Sequence, residues 1–515
     1  MIRNREGAHE RPAVSIPVYA LVTALLVACF LGVGVLNNAA AVYQGTSYDP
    51  SIRHYADHDQ YARLADALLH GSVSLDLPVP DELAELENPY AFENRDAIQD
   101  GGNVPIFWDH AFYEGKYYCY FGVVPAVLLY APYQLITGSW LATPAAVAFL
   151  GSCFLVCAAL LLYRVARRWF ARSATTGSLV LALLCMFAGS NVVYLGFVPT
   201  FYSVPILTSM VFTMLGLWFW MGARREGGTS GAHGGVTLSA WHLAAGSACM
   251  ALNLGCRPQF MLACFLALPL FWREITRERL LFSRAGLGST LAALVPFVVV
   301  FAPLFAYNYV RFGSLLDFGS FYNLTGFDMI GYNQSWRLTP VLLFYYLIQP
   351  FNLSGSFPFV QATDLTYPVS WAPFEPMYGG YFWLVPCALL VLALPVVRRE
   401  LKQRNLWGIS LLMLLFAAVV LVADARTAGI TQRYFSDFGW YLMLVAAFVL
   451  FSLQARAGEK EEKGARNYRI LVVVLAVSLG ISALVGLLSL FSPVHYASIA
   501  ALNPALYDAV AGLFG

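Results

Sequence analysis

Charge is scarce in this chain. Asp, Glu, Lys and Arg make up only 12% of its 515 residues, and 59% are hydrophobic. A soluble globular domain carries about 25% charge, so this composition excludes a soluble protein. The formal net charge of +1 says nothing about nucleic acid by itself, so the distribution of charge is read instead; no nucleic-acid partner is expected. The nine cysteines contain no C-x-x-C pair. Eight of them (Cys29, Cys153, Cys157, Cys185, Cys249, Cys256, Cys264, Cys387) fall within apolar runs and only Cys119 lies outside. Neither a zinc site nor a disulfide framework is indicated. G-x-G-x-x-G and G-x-x-x-x-G-K-[ST] are both missing, so no nucleotide-binding fold is expected. There is no internal repeat and no inverted second half, which argues against a secondary transporter.

What is abundant is apolar sequence, with a mean hydropathy of +0.63. Runs of about 20 residues, long enough to span a bilayer, recur at 17–37, 142–163, 175–195, 201–221, 239–256, 258–272, 288–308, 377–396, 406–423, 436–455 and 470–491. The fifth and sixth are short and joined at "GCRPQF", as two short spans or one long broken element. Charge orients the set. With the N-terminus in the cytoplasm, 22 of the 31 Lys and Arg residues fall in inside loops, together with 9 of the 30 acids. Lys and Arg bias sets topology, so a bacterial-type cytoplasmic membrane protein with its C-terminus outside is expected. The first run follows Arg3, Arg5 and Arg11 and exceeds the roughly 7–15 residues of a signal-peptide core, so it reads as an uncleaved anchor.

The expected fold class is therefore an all-α polytopic membrane protein with about 11 transmembrane helices. Two large extracytoplasmic loops, 42–141 and 309–376, carry amphipathic interfacial helices. Residues 1–320 form one module and 377–515 the C-terminal spans with a short external tail. In "YADHDQYARLADALLHG", Tyr61, Leu64, Ala65, Leu68 and Leu69 follow amphipathic helix spacing, and Gly71 suits the stop. "GKYYCYFGVVPAVLLYAPYQLITG" and "RLTPVLLFYYLIQPF" are apolar, aromatic and Pro-interrupted, and are read as pieces lying at the interface. A site between such loops would suit a substrate that is itself a lipid.

The chemistry candidates cluster in these loops. Asp57 and Asp59 flank His58 at the start of the helix. Asp57 as N-cap with Gln60 completing a capping box explains both without catalysis. The functional reading makes one of them a general base beside the bilayer. A DxD metal site is a further reading, but two carboxylates are too few for a hard cation, so a divalent metal is not indicated. The outside arginines are Arg53, Arg63, Arg95, Arg257, Arg311, Arg337, Arg426 and Arg433. Arg257 sits between two apolar runs, where an ionisable group is costly and is by default a functional candidate; snorkelling or a salt bridge is the plain alternative. Arg311 and Arg433, singly interface anchors, could together with Arg257 form a cationic bowl suited to phosphate. His54, His58 and His110 show no HExxH motif, and hydrogen-bonding roles are their default. Asp109 and Lys116, near the interfacial helix, read first as loop turn residues and second as acceptor contacts.

The order of these parts resembles the GT-C superfamily of integral membrane glycosyltransferases, most closely the branch of protein O-mannosyltransferases and the lipid A aminoarabinose transferase. That branch carries Asp-Glu-x-x-Tyr ahead of a small-residue and leucine helix ending at Gly. Here the stretch reads Asp57, His58, Asp59, Gln60, Tyr61, then "ARLADALLHG". Asp57 falls on the family's catalytic Asp, His58 replaces the Glu, and Asp59 is shifted by one. "GKYYCYFGVVP", "LGCRPQF", "YNYVRFGS" and "QRYFSDFGWY" are similar to stretches of bacterial GT-C-like proteins. The resemblance covers roughly the first 320 residues as a pattern of spans and loops. It implies an inverting transfer of sugar from a polyprenyl-phosphate donor to an extracytoplasmic glycan, lipid or protein acceptor. Asp57 or Asp59 would be the base, Arg257, Arg433 and Arg311 would hold the lipid phosphate, and Asp109, His110, Lys116 and Tyr61 would support the acceptor. A flippase or a non-catalytic binder of lipid-linked sugars is the competing reading.

Overall fold

The computed structural model describes residues 14–50, 52–99, 103–226, 236–330, 335–363, 377–427, 429–459, 462–492 and 498–514. Among them, seven helices are long and apolar enough to cross a membrane: Ile16–Leu36, Thr143–Trp169, Ser203–Met221, Leu287–Phe312, Trp407–Thr427, Phe435–Glu459 and Glu462–Ser489. Each coincides with an expected span. The other four expected spans are helical but short or broken. Thr176–Gly189 stops at Asn191, whose φ is 59°, before Val192–Phe197. Ala240–Leu252 and Pro258–Leu270 fold back on each other, with Cys264 Sγ 3.8 Å from the Met250 carbonyl. That resolves "GCRPQF" as the turn between two short antiparallel segments. Pro386–Val397 is wound as a 3-10 helix. At about 2.0 Å per residue, its 12 residues reach farther than an α-helix of that length.

The bundle is closed by small residues. A Cβ on Gly151 would lie 2.2 Å from the Phe30 ring, and one on Gly196 would lie 2.4 Å from it. The first span is thus keyed into its neighbours by one aromatic ring, and Tyr19 Oη donates to the Ala159 carbonyl at 3.0 Å.

Outside the spans, the first loop forms two hairpins. Strand β1 (Thr46–Asp49) pairs antiparallel with β2 (His54–Asp57), and β3 (His110–Tyr113) with β4 (Lys116–Cys119). The second hairpin turns through Glu114 and Gly115, both with positive φ, the geometry that matches strand twist in a two-residue turn. Between the hairpins runs the Gln60–Leu69 helix. Tyr61, Leu64 and Ala65 are buried, Leu69 is exposed, and Gly71 adopts the left-handed stop. The expected capping box does not form. The helix begins at Gln60, and the preceding Asp59 makes no side-chain cap. Gln60 instead donates to the Asp109 carbonyl at 3.1 Å.

The two interfacial pieces are helical, Ala126–Thr137 and Thr339–Leu347. The first would rise about 18 Å, well short of a bilayer core of about 30 Å. It leaves Leu128, Leu135 and Ile136 exposed. Residues 364–376 of the second loop lie outside the described residues. What is described of that loop lies against the first. Leu324 N donates to the His110 carbonyl at 2.9 Å and Asp109 N to the Leu324 carbonyl at 3.0 Å. Arg95, fully buried, gives Nη2 to the Thr325 carbonyl and Nη1 to the carbonyls of Pro89 and Tyr90 at 2.7 and 2.8 Å.

Candidate active site

The first loop meets the bundle at Gly122. A Cβ there would lie 2.2 Å from the Gly255 carbonyl oxygen, so only glycine lets β4's continuation rest on the "GCRPQF" turn. Beside this contact, at one end of the spans, lies a cavity of about 610 Å³ lined by Tyr120, Phe121 and Arg257 among others. Its ionisable lining comes from four separate stretches: Asp49 and His58, Asp109, Arg257, and Arg433. Trp108, Tyr120, Tyr202 and Tyr434 add aromatic faces.

Asp109 is buried, with φ at 54°, a left-handed conformation uncommon for any residue but glycine and enriched for Asp. Its Oδ2 accepts from Tyr202 Oη and its Oδ1 from Asn323 Nδ2 at 2.9 Å. An ionised carboxylate has about four acceptor sites, so two bonds leave capacity toward the cavity. Tyr202 also underlies Arg433, whose guanidinium carbon is 3.8 Å from the ring centroid. One tyrosine thus joins a carboxylate and a cation on the same wall.

Arg257 lines the cavity with its fork on Asp437: Nε to Oδ1 at 2.8 Å and Nη2 to Oδ2 at 2.5 Å. Gln259 Nε2 reaches both Asp437, at 3.1 Å, and Asp424, at 3.2 Å. Arg433 gives Nη2 to Tyr434 Oη at 3.4 Å. Arg311 stands apart from this pair. Its Nη1 donates to the Cys119 carbonyl at 2.9 Å and its Nη2 to Asn308 at 2.7 Å, so it pins β4 to the end of the Leu287–Phe312 helix rather than lining the cavity. Arg426 stacks on Trp336 and Arg53 pairs with Asp96. The expected bowl is therefore two arginines wide.

Asp57 and Asp59 are not on the cavity wall. Ala56 and His58 face it, and Asp57 between them is fully buried on the other side. Asp57 Oδ1 accepts from the Thr46 hydroxyl and the Asp59 N–H, both at 3.1 Å. Its Oδ2 accepts from Arg63 Nε at 3.0 Å and lies 3.4 Å from His110 Nε2. His110 Nδ1 is 2.9 Å from the Trp108 carbonyl, an acceptor only, so Nδ1 carries a proton. The contact of Nε2 with Asp57 is then attractive only when Nε2 is protonated too. Burial alone would raise the Asp57 pKa; the His110 imidazole, the Arg63 guanidinium and the Asp59 N–H outweigh it and hold the carboxyl below its ordinary value. Asp59 is shifted the other way. Burial and the neighbouring Asp57 charge raise it, although Oδ2 accepts from Gly45 N at 2.9 Å.

His54 is held neutral by its partners. Nδ1 meets the Ile52 carbonyl at 2.7 Å, leaving Nε2 to accept from Arg95 Nε at 3.2 Å. Burial, opposed by that carbonyl and reinforced by the Arg95 charge, pushes its pKa down to about 4. His58, on the cavity wall, is also lowered by burial, against the pull of Asp57 and Asp49. Tyr61 is buried against Tyr130, ring centroids 5.6 Å apart, and Lys116 is exposed at the hairpin turn, so neither lines the cavity. Among the described residues, no group of three or more His, Cys, Asp or Glu side chains could hold a metal ion.

Reasoning along the sequence missed Asp49, Tyr202, Asn323 and Asp437. Asp437 carried a signal: an acid inside an apolar run needs a cation, and Arg257 is its complement. Tyr202 and Asn323 carried none.

No protein family model matches this chain, and neither does any curated protein. Solved structures do. ArnT from Cupriavidus metallidurans bound to undecaprenyl phosphate is similar at 13% identity and a TM-score of 0.41, over 97% of this chain and 77% of that one. The oligosaccharyltransferase of Archaeoglobus fulgidus in its apo form is similar at 11% identity and a TM-score of 0.48, over 92% of this chain and 56% of that one.

Proposed function

We propose that this protein is a membrane glycosyltransferase that moves a sugar from a polyprenyl-phosphate donor to an extracytoplasmic acceptor. The observation that carries the reading is the wall built on Tyr202, which sets the Asp109 carboxylate beside Arg433, with Arg257 in the same cavity. A lipid-linked sugar phosphate needs this pairing: a base for the incoming hydroxyl and cations for the departing phosphate. The resemblance of "DHDQYARLADALLHG" to the GT-C first loop supports it.

In this reading the acceptor hydroxyl oxygen attacks the anomeric carbon as the bond from that carbon to the phosphate oxygen breaks. The configuration inverts. Asp109 takes the hydroxyl proton, and polyprenyl phosphate leaves with its charge facing preorganised guanidinium groups. Asp57, which the resemblance makes a candidate base together with Asp59, takes a positioning role: through Arg63 and His110 it holds β2 and β3 in register with the cavity. Asp59 ties the helix start to Gly45. The active site faces the outside of a cytoplasmic membrane, where donors arrive in the plane of the bilayer.

The test is sugar transfer from a panel of polyprenyl-phosphate sugars in nanodiscs, with and without EDTA. Asp109→Asn is compared with Asp57→Asn, Asp59→Asn and Arg433→Ala. Release of polyprenyl phosphate that is lost in Asp109→Asn and Arg433→Ala, but survives EDTA, supports the assignment. Loss in Asp57→Asn with full activity in Asp109→Asn returns the base to Asp57. Tight donor binding with no turnover by the wild type favours a flippase or binder.

A further inference from the structure

A second cavity lies at the opposite end of the bundle. Thr427 lines the candidate active site and Trp407 lines this crevice. They are the two ends of one helix, about 30 Å apart at 1.5 Å per residue. The crevice has a volume of about 820 Å³. Five basic side chains line it, Arg168, Arg224, Arg273, Lys402 and Arg404, against the single carboxylate of Glu274.

Part of that charge builds the walls. Arg224 bridges Glu274 at 2.7 Å and Glu278 at 3.0 Å. Arg404 Nε donates to the Trp169 carbonyl at 3.0 Å, tying the 402–405 turn to the end of the Thr143–Trp169 helix. Arg273 and Lys402 remain exposed at the mouth, and Arg273 reaches Glu278 only at 3.7 Å. Even with Glu278 counted, positive charge is in excess.

Below the mouth the crevice is apolar and open sideways. Leu411 and Leu415 follow Trp407 at i+4 and i+8, one face of the helix. They are 46% and 56% exposed, and Leu268 opposite is 48% exposed. The floor is where a Cβ on Gly408 would meet Pro269 Cβ at 3.4 Å. Trp272 and Trp407 mark the level of the interface.

We propose that this crevice binds an anionic phospholipid, with its phosphate between Arg273 and Lys402 and an acyl chain along Leu411 and Leu415. A basic pocket between helices at this end of a membrane protein suits such a headgroup. A soluble phosphate would use the mouth alone and leave the exposed leucine face without a ligand. The site goes beyond the transferase reading and does not depend on it.

The experiment uses the full chain in nanodiscs and in detergent, with native mass spectrometry and thermal unfolding as readouts. Phosphatidylglycerol, phosphatidylcholine and inorganic phosphate are the probes, and the variant is Arg273→Gln with Lys402→Gln. Both substituted residues are exposed, and an unchanged Tm in phosphatidylcholine checks the fold. The expected result is retention of phosphatidylglycerol over phosphatidylcholine, weakened about thirtyfold in the double variant. Equal retention of the two lipids overturns the proposal. So does undiminished phosphatidylglycerol binding by the variant, the result expected if these side chains only snorkel. Displacement of the lipid by millimolar inorganic phosphate overturns the lipid as the source of the phosphate.

Discussion

Arg257 and Asp437, 180 residues apart, close a two-pronged ion pair at 2.8 and 2.5 Å beside the cavity that Asp109 and Arg433 line. Its acid is fully buried and its cation nearly so. Removing one member of such a pair costs about 3–5 kcal/mol, because the other charge is left in a medium that solvates it poorly. Arg257→Ala is therefore expected to lower the Tm sharply. Arg257→Met combined with Asp437→Leu is expected to recover most of that stability without recovering sugar transfer. A double variant that is stable and fully active would reduce Arg257 to a structural cation.

Asp109→Asn is expected to cut turnover by about 10²–10⁴-fold, the usual contribution of a positioned base, with the Tm little changed. The amide keeps the shape of the carboxylate and still offers an oxygen to Tyr202 or Asn323. A steady-state assay with the Tm measured alongside separates lost chemistry from lost fold.

Tyr202→Phe keeps the ring under Arg433 and removes the hydroxyl that donates to Asp109. A hydrogen bond to a charged group is worth about 1.5–3 kcal/mol. Turnover is expected to fall about tenfold or more, with the Tm measured alongside little changed. Unchanged turnover would show that the Tyr202 hydroxyl does not position Asp109 for the reaction.

Acid is expected to loosen the first loop before the bundle. His54 has its folded pKa lowered to about 4, so the unfolded loop binds a proton first. Stability then falls as the pH drops from about 6.5 toward 4, by up to ~3 kcal/mol. Asp57, whose pKa is lowered, adds stability above the unfolded carboxyl value that is lost as the pH falls through its folded one. Both groups act in the same direction. Hydrogen exchange of residues 54–69 against pH should show the transition, and His54→Gln should remove its upper part.

Much of the scaffold was legible in the chain. An apolar run long enough to span is a local, one-dimensional property, and every expected span has a helical counterpart. The amphipathic spacing from Tyr61 and the stop at Gly71 are local too. Three other features were not. The capping box at Asp57 and Gln60 satisfied every spacing rule, yet Gln60 was drawn to the Asp109 carbonyl and Asp57 to Arg63. Arg311 looked like its neighbours at the ends of spans, but the approach of β4 took its guanidinium. The 239–272 region could be read two ways until Cys264 was placed against Met250.

The sequence by itself determined that this is a membrane protein, where its spans lie and which loops carry the ionisable groups, because hydropathy and periodicity act over a few residues. Only the tertiary structure decided which of those groups share a cavity. Asp109 meets Tyr202 across 93 residues, Arg257 meets Asp437 across 180, and Arg95 meets the second loop across 230. Side chains on neighbouring residues of an extended strand point to opposite faces. Whether Ala56 or Asp57 faces the cavity therefore depends on what packs against each side, and that partner is supplied from far along the chain.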